Sequence, residues 1–270
     1  MIIVVTTLLL AASIYLANFG FWMRTEVVDS EAFTASAVAS FDLPGSYDAI
    51  GRIVAGKVVD EYPVLGFVRS NLASLLGSLL ATEPFEPALV MIADDIHDRL
   101  FGGVRTAVVI DLAEYEDVVI EGLAESAPGV VALLPGGVFR QYTIFDAGEI
   151  PDVSGDVERI RAASLFAAVS AIVAAIMLVV LVRPLTAAAI PIGIALMLAA
   201  VVTVIIKPVT AGLMRVAVTD EAFRVLAVNQ FEVLSRSLVV PAVAIGFLGV
   251  VLVAVGLVAG AYRRRDGATA

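Results

Sequence analysis

The chain has 270 residues, 60% of them hydrophobic and only 16% charged, with a mean hydropathy of +0.98. That balance excludes an ordinary soluble domain and points to an integral membrane protein. The net charge of −10 is unevenly placed: residues 24–161 hold 23 acidic and 9 basic side chains, and the rest of the chain is mildly basic. An acidic surface repels phosphate backbones, which argues against a nucleic-acid partner. With no cysteine, disulfides, thiolate metal sites and a cysteine nucleophile are all excluded.

Residues 1–23 read as a first membrane span. The stretch has no basic leading region and is long enough to cross, and Phe19, Phe21 and Trp22 suit a membrane interface, so an uncleaved span is preferred to a signal peptide. Residues 24–161 follow as a separate domain, punctuated throughout. Asp29 or Ser30 caps a helix through Phe33, Val38 and Phe41, broken by Pro44-Gly45. Ser46 begins a second helix carrying Ile50, Ile53, Val54 and Val58, which stops at Tyr62-Pro63. A third runs from Leu65 to Thr82 with Val68, Leu72, Leu75, Leu76, Leu79 and Leu80 on one broad face, apolar enough to pack deeply or to lie on a membrane. A fourth opens near Pro87, shows Leu89, Ile92, Ile96 and Leu100 as its apolar stripe, and closes at Gly102-Gly103.

The period then changes from helix to strand. Val104–Leu112 is rich in β-branched residues and predicts a strand, followed by a short helix over Glu114–Ala124. Val130–Leu134 and Val138–Phe145, joined by Pro135-Gly136-Gly137, predict a hairpin that pairs with it. Ser154 caps a helix running directly into span two, residues 162–182, which ends at Arg183-Pro184. Span three covers 185–206 and ends at Lys207-Pro208. Residues 207–237 form an amphipathic helical segment, capped by Thr219 and carrying Phe223, Leu226, Phe231 and Leu234. It continues into span four, 238–262, with Pro241 as a candidate kink. A basic tail, 263–270, follows. The fold class is therefore mainly α: four transmembrane helices plus an α-rich domain with a small β element.

The Arg263-Arg264-Arg265 triplet and Arg183 mark one face as cytoplasmic, which places both termini inside and the acidic domain outside. Lys207, Arg215, Arg224 and Arg236 on the proposed outer side match the inner basic residues in number, and the compactness of the triplet decides the orientation. Small residues recur at four-residue spacing at Ala163, Ala167, Ala171 and Ala175 in span two, and at Ala242/Gly246 and Gly256/Gly260 in span four. They suit a dimer seam or, equally simply, helix packing within one bundle, and the second reading is preferred. No span holds a charged residue or histidine in its interior, which argues against a coupled transporter. Asn18 near the end of span one suits an interhelical hydrogen bond, and Lys207 suits snorkelling to the interface.

Catalytic groups are sparse. Asp94, Asp95, His97 and Asp98 put carboxylates and the only histidine on one helix, where Asp94 with His97 or Asp98 shares a face that a metal could exploit. The spacing matches no metalloenzyme pattern, and acidic residues on the wet face of a helix are the simpler explanation. Glu114, Glu116, Asp117, Glu121 and Glu125 lack an accompanying nucleophile or oxyanion element and read as solvating charges. No catalytic, cofactor or metal residue is assigned.

Trp22-Met-Arg24-Thr25-Glu-Val27-Val28-Asp29-Ser30-Glu31-Ala-Phe33 resembles a pattern close to W-x-x-x-T-V-L-D-T-D-x-F-V that follows the first span in a group of actinobacterial-type four-span membrane proteins. Ala-Val-Val-Ile-Asp111-Leu112 and Gln141-Tyr-Thr-Ile-Phe-Asp146 are similar to that group's two strands. The resemblance implies four spans and an extracytoplasmic, mainly helical domain, and brings no activity with it. The expected function is a non-enzymatic envelope scaffold presenting that domain to a protein partner or to a second copy. The alternative is handling of a lipid or another hydrophobic ligand in a groove lined by the Leu65–Thr82 helix and the Val209–Ser235 stretch.

Overall fold

The computed structural model describes residues 1–126, 128–131, 136–139 and 141–267. The protein is mainly α-helical with one two-stranded sheet, and it is a multi-pass membrane protein. Five helical stretches among the described residues are long and apolar enough to cross a bilayer: Ile2–Val27, Pro63–Leu80, Ser154–Leu181, Leu185–Ala217 and Glu221–Arg263. The chain divides into two units, each assembled from separate stretches of sequence.

The first unit takes residues 1–26, 156–210 and 235 onward. It contains α1 (Ile2–Trp22) and the apolar parts of α8 (Ser154–Leu181), α9 (Leu185–Ala217) and α10 (Glu221–Gly267). Its interior is made of small and medium side chains, with Leu10, Ala11, Ala174, Leu178 and Ala195 buried together against Ile14, Ala171, Ala175 and Ile192. Its large apolar residues face outward instead, among them Leu16, Phe166, Val169, Ile176 and Phe247. That inversion is what a lipid solvent selects, since burying a large apolar side chain away from hydrocarbon gains little and close backbone approach gains contact. A Cβ added to Gly193 would lie 2.5 Å from the Gly249 carbonyl oxygen, and one added to Gly249 would lie 2.6 Å from the Gly193 carbonyl oxygen. Gly246 meets Ala200 and Gly256 meets Ile190 in the same way, whereas nothing stands within 4 Å of a Cβ on Gly260. In span two, Ala167 is buried, Ala171 and Ala175 are half-buried and Ala163 is exposed. The small-residue rows thus largely serve packing inside this unit, and the Gly193–Gly249 crossing joins them.

The second unit takes residues 27–155 and 211–234. Asp29 accepts a hydrogen bond from the Ala32 N–H (3.0 Å) and caps α2 (Ser30–Phe41). Gly45, at φ 82°, makes the left-handed turn into α3 (Ser46–Glu61) that a Cβ would resist. A tight 3-10 turn, Pro63–Val68, leads into α4 (Arg69–Leu80). Helices α3 and α4 cross at glycines: a Cβ on Gly51 would collide with the Ala73 carbonyl oxygen and lie 2.6 Å from the Gly77 nitrogen. This contact lets Ile50, Ile53, Val54, Val58, Leu65, Leu72, Leu76 and Leu80 close into one core. Burial of each such leucine is worth about 2 kcal/mol. Helix α5 (Glu86–Phe101) follows, then β1 (Val108–Asp111), α6 (Glu116–Ser126), the single turn α7 (Pro128–Val131) and β2 (Gln141–Phe145). The strands pair antiparallel with Val109 opposite Thr143 and Asp111 opposite Gln141. The segment 211–234 belongs to the same core, where Ala222 is buried and Phe223, Val225 and Leu226 pack against it.

Several local expectations are corrected. The predicted strand over Val104–Leu112 is ordered as strand only at Val108–Asp111, because the carbonyls of Thr106 and Ala107 are taken by Arg99 instead of a neighbouring strand. Val130 and Val131 lie in a helical turn and not in a hairpin, so β2 pairs with β1 across the intervening α6; residues 132–135 lie outside the described residues. The third helix opens as a 3-10 turn because Pro63 stands at its start. Helix α9 continues through Pro208 to Ala217 where a stop at Lys207-Pro208 was expected; a proline removes one ladder bond, which neighbouring helices and adjacent side chains can offset in a membrane helix. Its 33 residues rise about 50 Å, well beyond the hydrocarbon core of about 30 Å. Asp220, and not Thr219, caps α10, accepting from the Phe223 N–H at 3.0 Å.

Helix propensity alone predicts that Gly51→Ala and Gly193→Ala should each stabilise by about 1 kcal/mol. The crossings predict the opposite sign: each should destabilise by about 1–3 kcal/mol, while Gly260→Ala should not. Thermal unfolding of the three variants in one detergent checks this.

Candidate functional site

The chemistry-bearing residues of the second unit converge on α5. Its buried row is Leu89, Ala93 and His97, at four-residue spacing, with Arg99 also buried; the predicted stripe residues Ile92, Ile96 and Leu100 are only half-buried. The helix is therefore rotated relative to the expectation, and His97 leaves the wet face for the interior. Asp94 and Asp98 remain exposed.

His97 is 6% exposed. Its Nε2 lies 2.9 Å from the Val28 carbonyl oxygen, an acceptor, so the ring carries its proton there and donates it. Phe33 of α2 and Phe101 of α5 flank the imidazole at centroid distances of 5.3 and 5.1 Å. Nδ1 is buried without a hydrogen-bond partner, and the nearest carboxylate oxygen, Asp98 Oδ1, is 3.9 Å away. Asp94 does not join it: its Oδ1 accepts the Ser30 hydroxyl at 2.7 Å, fastening the start of α2 to α5. Among the described residues no group of three His, Cys, Asp or Glu side chains is placed to hold a metal ion.

Arg99 is likewise 6% exposed, and its guanidinium is saturated. Nε donates to the Thr106 carbonyl (2.7 Å), one terminal nitrogen to the Ala107 carbonyl (2.6 Å) and the Thr106 hydroxyl (3.0 Å), and the other to the Asp95 carbonyl, with the Asp95 carboxylate at 3.4 Å. This network shapes the chain between α5 and β1, and it uses Arg99 as a structural cation. Sequence reading missed it; the available signal was an arginine two positions after His97 and three before Gly102-Gly103.

The second acidic group does not converge. Glu116 Oε1 accepts the Gly137 N–H at 3.0 Å, while Asp117, Glu121 and Glu125 are exposed on α6; the side chain of Glu114 lies outside the described residues. Two other carboxylates have tuned acidity. The Gln141 side-chain amide and the Ala113 N–H hold the Asp111 carboxyl below the ordinary carboxylate range, and Ser154 with Arg105 does the same for Asp152. Both sets of bonds are present above the usual aspartate range and are lost only as pH falls through the depressed values.

In the first unit, Ile14, Tyr15, Asn18, Ala199, Ala200, Thr203, Ala242 and Ile245 line a cleft of ≈160 Å³, too narrow for a water-sized sphere. Thr203 donates to the Ala199 carbonyl at 3.0 Å, and Asn18 Nδ2 is buried without a partner, so the expected interhelical bond from Asn18 is not formed through that atom. No protein-family model, no curated protein and no solved structure matches this chain.

Replacing Arg99 by methionine keeps much of the aliphatic volume and strips three carbonyls and a hydroxyl of their donor. Loss of about 3 kcal/mol is expected, read as a lower unfolding midpoint in urea, with Lys at this position recovering only part of it because it lacks the planar fork.

Proposed function

We propose that this chain is a non-enzymatic, four-span envelope protein whose second unit stands outside the membrane and offers its surface to a protein partner or to a second copy. The observation that carries the topology is the composition of that unit. Residues 27–155 reach only the first turn of α8 and residues 211–234 begin in the last turns of α9, yet they share one core: the Phe145 and Phe223 rings lie 5.1 Å apart, and Asn229 donates to the Pro44 carbonyl (3.3 Å) and the Ser46 hydroxyl (2.8 Å). Segments that pack together are on one side of the membrane, which requires an even number of crossings between them. Helices α8 and α9 supply two. The fifth apolar stretch, Pro63–Leu80, has Leu65, Leu72, Leu76 and Leu80 buried inside the unit, which supports reading it as core and not as a span. Arg183 and the Arg263–Arg265 triplet then favour a cytoplasmic position for the other side.

The same burial supports a surface function over an interior one. The leucine face that a lipid groove would need is filled by its own neighbours, and what remains outside includes Val64 and Phe67, which share a face of the 3-10 turn at 54% and 68% exposure. Lipid contact is the second reading, favoured by Leu213 and Val216, exposed at 64% and 82% beyond Lys207.

Because the chain has no cysteine, single cysteines report sidedness directly. Asp60→Cys and Asp220→Cys should react with a membrane-impermeant maleimide on intact cells, and Leu185→Cys only after permeabilisation. Labelling of Asp60→Cys and Asp220→Cys from opposite sides would overturn the span count; the reverse pattern for all three would invert the orientation.

For the function itself, a photo-cross-linking residue at Phe67 in the native membrane should capture one protein in defined stoichiometry. Capture of lipid alone, with lipid retained by a lone protomer in native mass spectrometry, would reject the scaffold reading for the second one.

A further inference from the structure

The exposed apolar face of α9 does not stop where its uncharged stretch stops. Leu198, Val202, Ile205, Val209, Leu213 and Val216 follow one another at spacings of three or four residues, so they share one side of the helix. All six are exposed, and the exposure rises along the row from 38% at Leu198 to 82% at Val216. The last three stand beyond Lys207, the first charged residue of the helix. Aliphatic side chains left in water cost free energy in proportion to their area, so this end of the row calls for the same apolar cover as the rest of it.

The charge on the helix says which cover. Lys207 and Arg215 are the only charged residues of α9, and both are basic. Arg215 is exposed. The next carboxylates along the chain are engaged: Asp220 caps α10 by accepting the Phe223 N–H, and Glu221 stands 3.6 Å from the Arg52 guanidinium. Residues 24–161, by contrast, hold 23 acidic and 9 basic side chains, a balance that an anionic leaflet repels. A basic segment with an apolar face is the opposite case, because both parts of it are attracted to such a leaflet.

We propose that residues 207–217 lie in the headgroup layer of the membrane, with Val209, Leu213 and Val216 against acyl chains and Arg215 on the phosphate of an anionic phospholipid. The lengths agree. The 33 residues of α9 rise about 50 Å, a bilayer with its headgroups is about 40–45 Å thick, and a tilt of about 30°, within the usual range of membrane helices, fits one into the other. Arginine suits the position, since its stem lies along apolar surface while the planar guanidinium gives a phosphate two parallel hydrogen bonds. The proposal rests on α9 being a membrane span, and it is independent of whether the second unit serves a protein or a lipid.

Single nitroxides on the cysteine-free chain measure the depth. Full-length protein carrying one of Ile205→Cys, Leu213→Cys, Val216→Cys or Asp60→Cys is placed in nanodiscs of equal parts phosphatidylcholine and phosphatidylglycerol. The ratio of collisions with dissolved oxygen to collisions with a water-soluble nickel chelate should be high at Ile205→Cys, lower but still lipid-like at Leu213→Cys and Val216→Cys, and reversed at Asp60→Cys. Leu213→Cys and Val216→Cys behaving as Asp60→Cys does, or shielded from both reagents as a protein contact would leave them, would overturn the proposal. The headgroup is read separately. Spin-labelled phosphatidylglycerol should be held at the protein in preference to spin-labelled phosphatidylcholine, and Arg215→Gln should weaken that preference about fivefold, the worth of one basic residue at an anionic surface, with Arg215→Lys retaining most of it. A native chain without the preference, or an Arg215→Gln chain that keeps it whole, sinks the anionic-lipid assignment. Immersion reads the same whichever way the chain faces, so an inverted orientation shows in the maleimide pattern and not here.

Discussion

The packing of residues 222–226 into the core built from residues 49–144 is the constraint on which the rest depends. It ties together two stretches separated in sequence by the whole of α8 and α9, and so limits the ways the intervening helices can be threaded through a bilayer. It also removes residues 211–234 from the category of loop. The amphipathic pattern there is not a membrane-surface signature alone, because Ala222, Phe223, Val225 and Leu226 spend their apolar area on a protein core. The helix carrying Leu72, Leu76 and Leu80 has those leucines buried in the same core.

The two units pack in opposite ways. In the second, large aliphatic and aromatic residues go inward, and α3 and α4 come close at Gly51 and Gly77 so that those residues can interdigitate. In the first, small residues go inward and Leu, Ile, Val and Phe go outward, because hydrocarbon offers them the same environment that a core does. Glycine at a helix crossing serves both units. The reason is the same in each: backbone contact distance is set by the smallest side chain at the crossing.

Some of the polar groups inside the second unit have a definite structural task. Arg99 satisfies the carbonyls of the chain it faces and thereby delays the start of β1, while Ser30 and Asp94 fasten the start of α2. His97 keeps one ring nitrogen without a partner, as do the side chains of Thr34 and Gln230 at buried polar atoms.

Much of the architecture was legible in the residues themselves. Composition and uncharged runs of about twenty residues define the membrane class, and Asp29, Pro44-Gly45 and Pro63 punctuate the helices where the structure breaks them, because caps and breakers act through local backbone chemistry. What periodicity could not decide is how a helix is rotated when both faces carry apolar residues: on α5 the choice between Leu89-Ala93-His97 and Ile92-Ile96-Leu100 belongs to Phe33, Val28 and Thr106, which lie far from it or beyond it in sequence. The pairing of β1 with β2 across α6, the passage of α9 through Pro208 and the Gly193–Gly249 crossing are likewise products of long-range contact. By itself the sequence determined the solvent each stretch prefers and where its helices start and stop, since those follow from transfer energies and local hydrogen bonding. Only the tertiary structure decided how α5 is rotated, which carbonyls Arg99 holds and which distant segments share an interior, because those depend on partners that no local window contains.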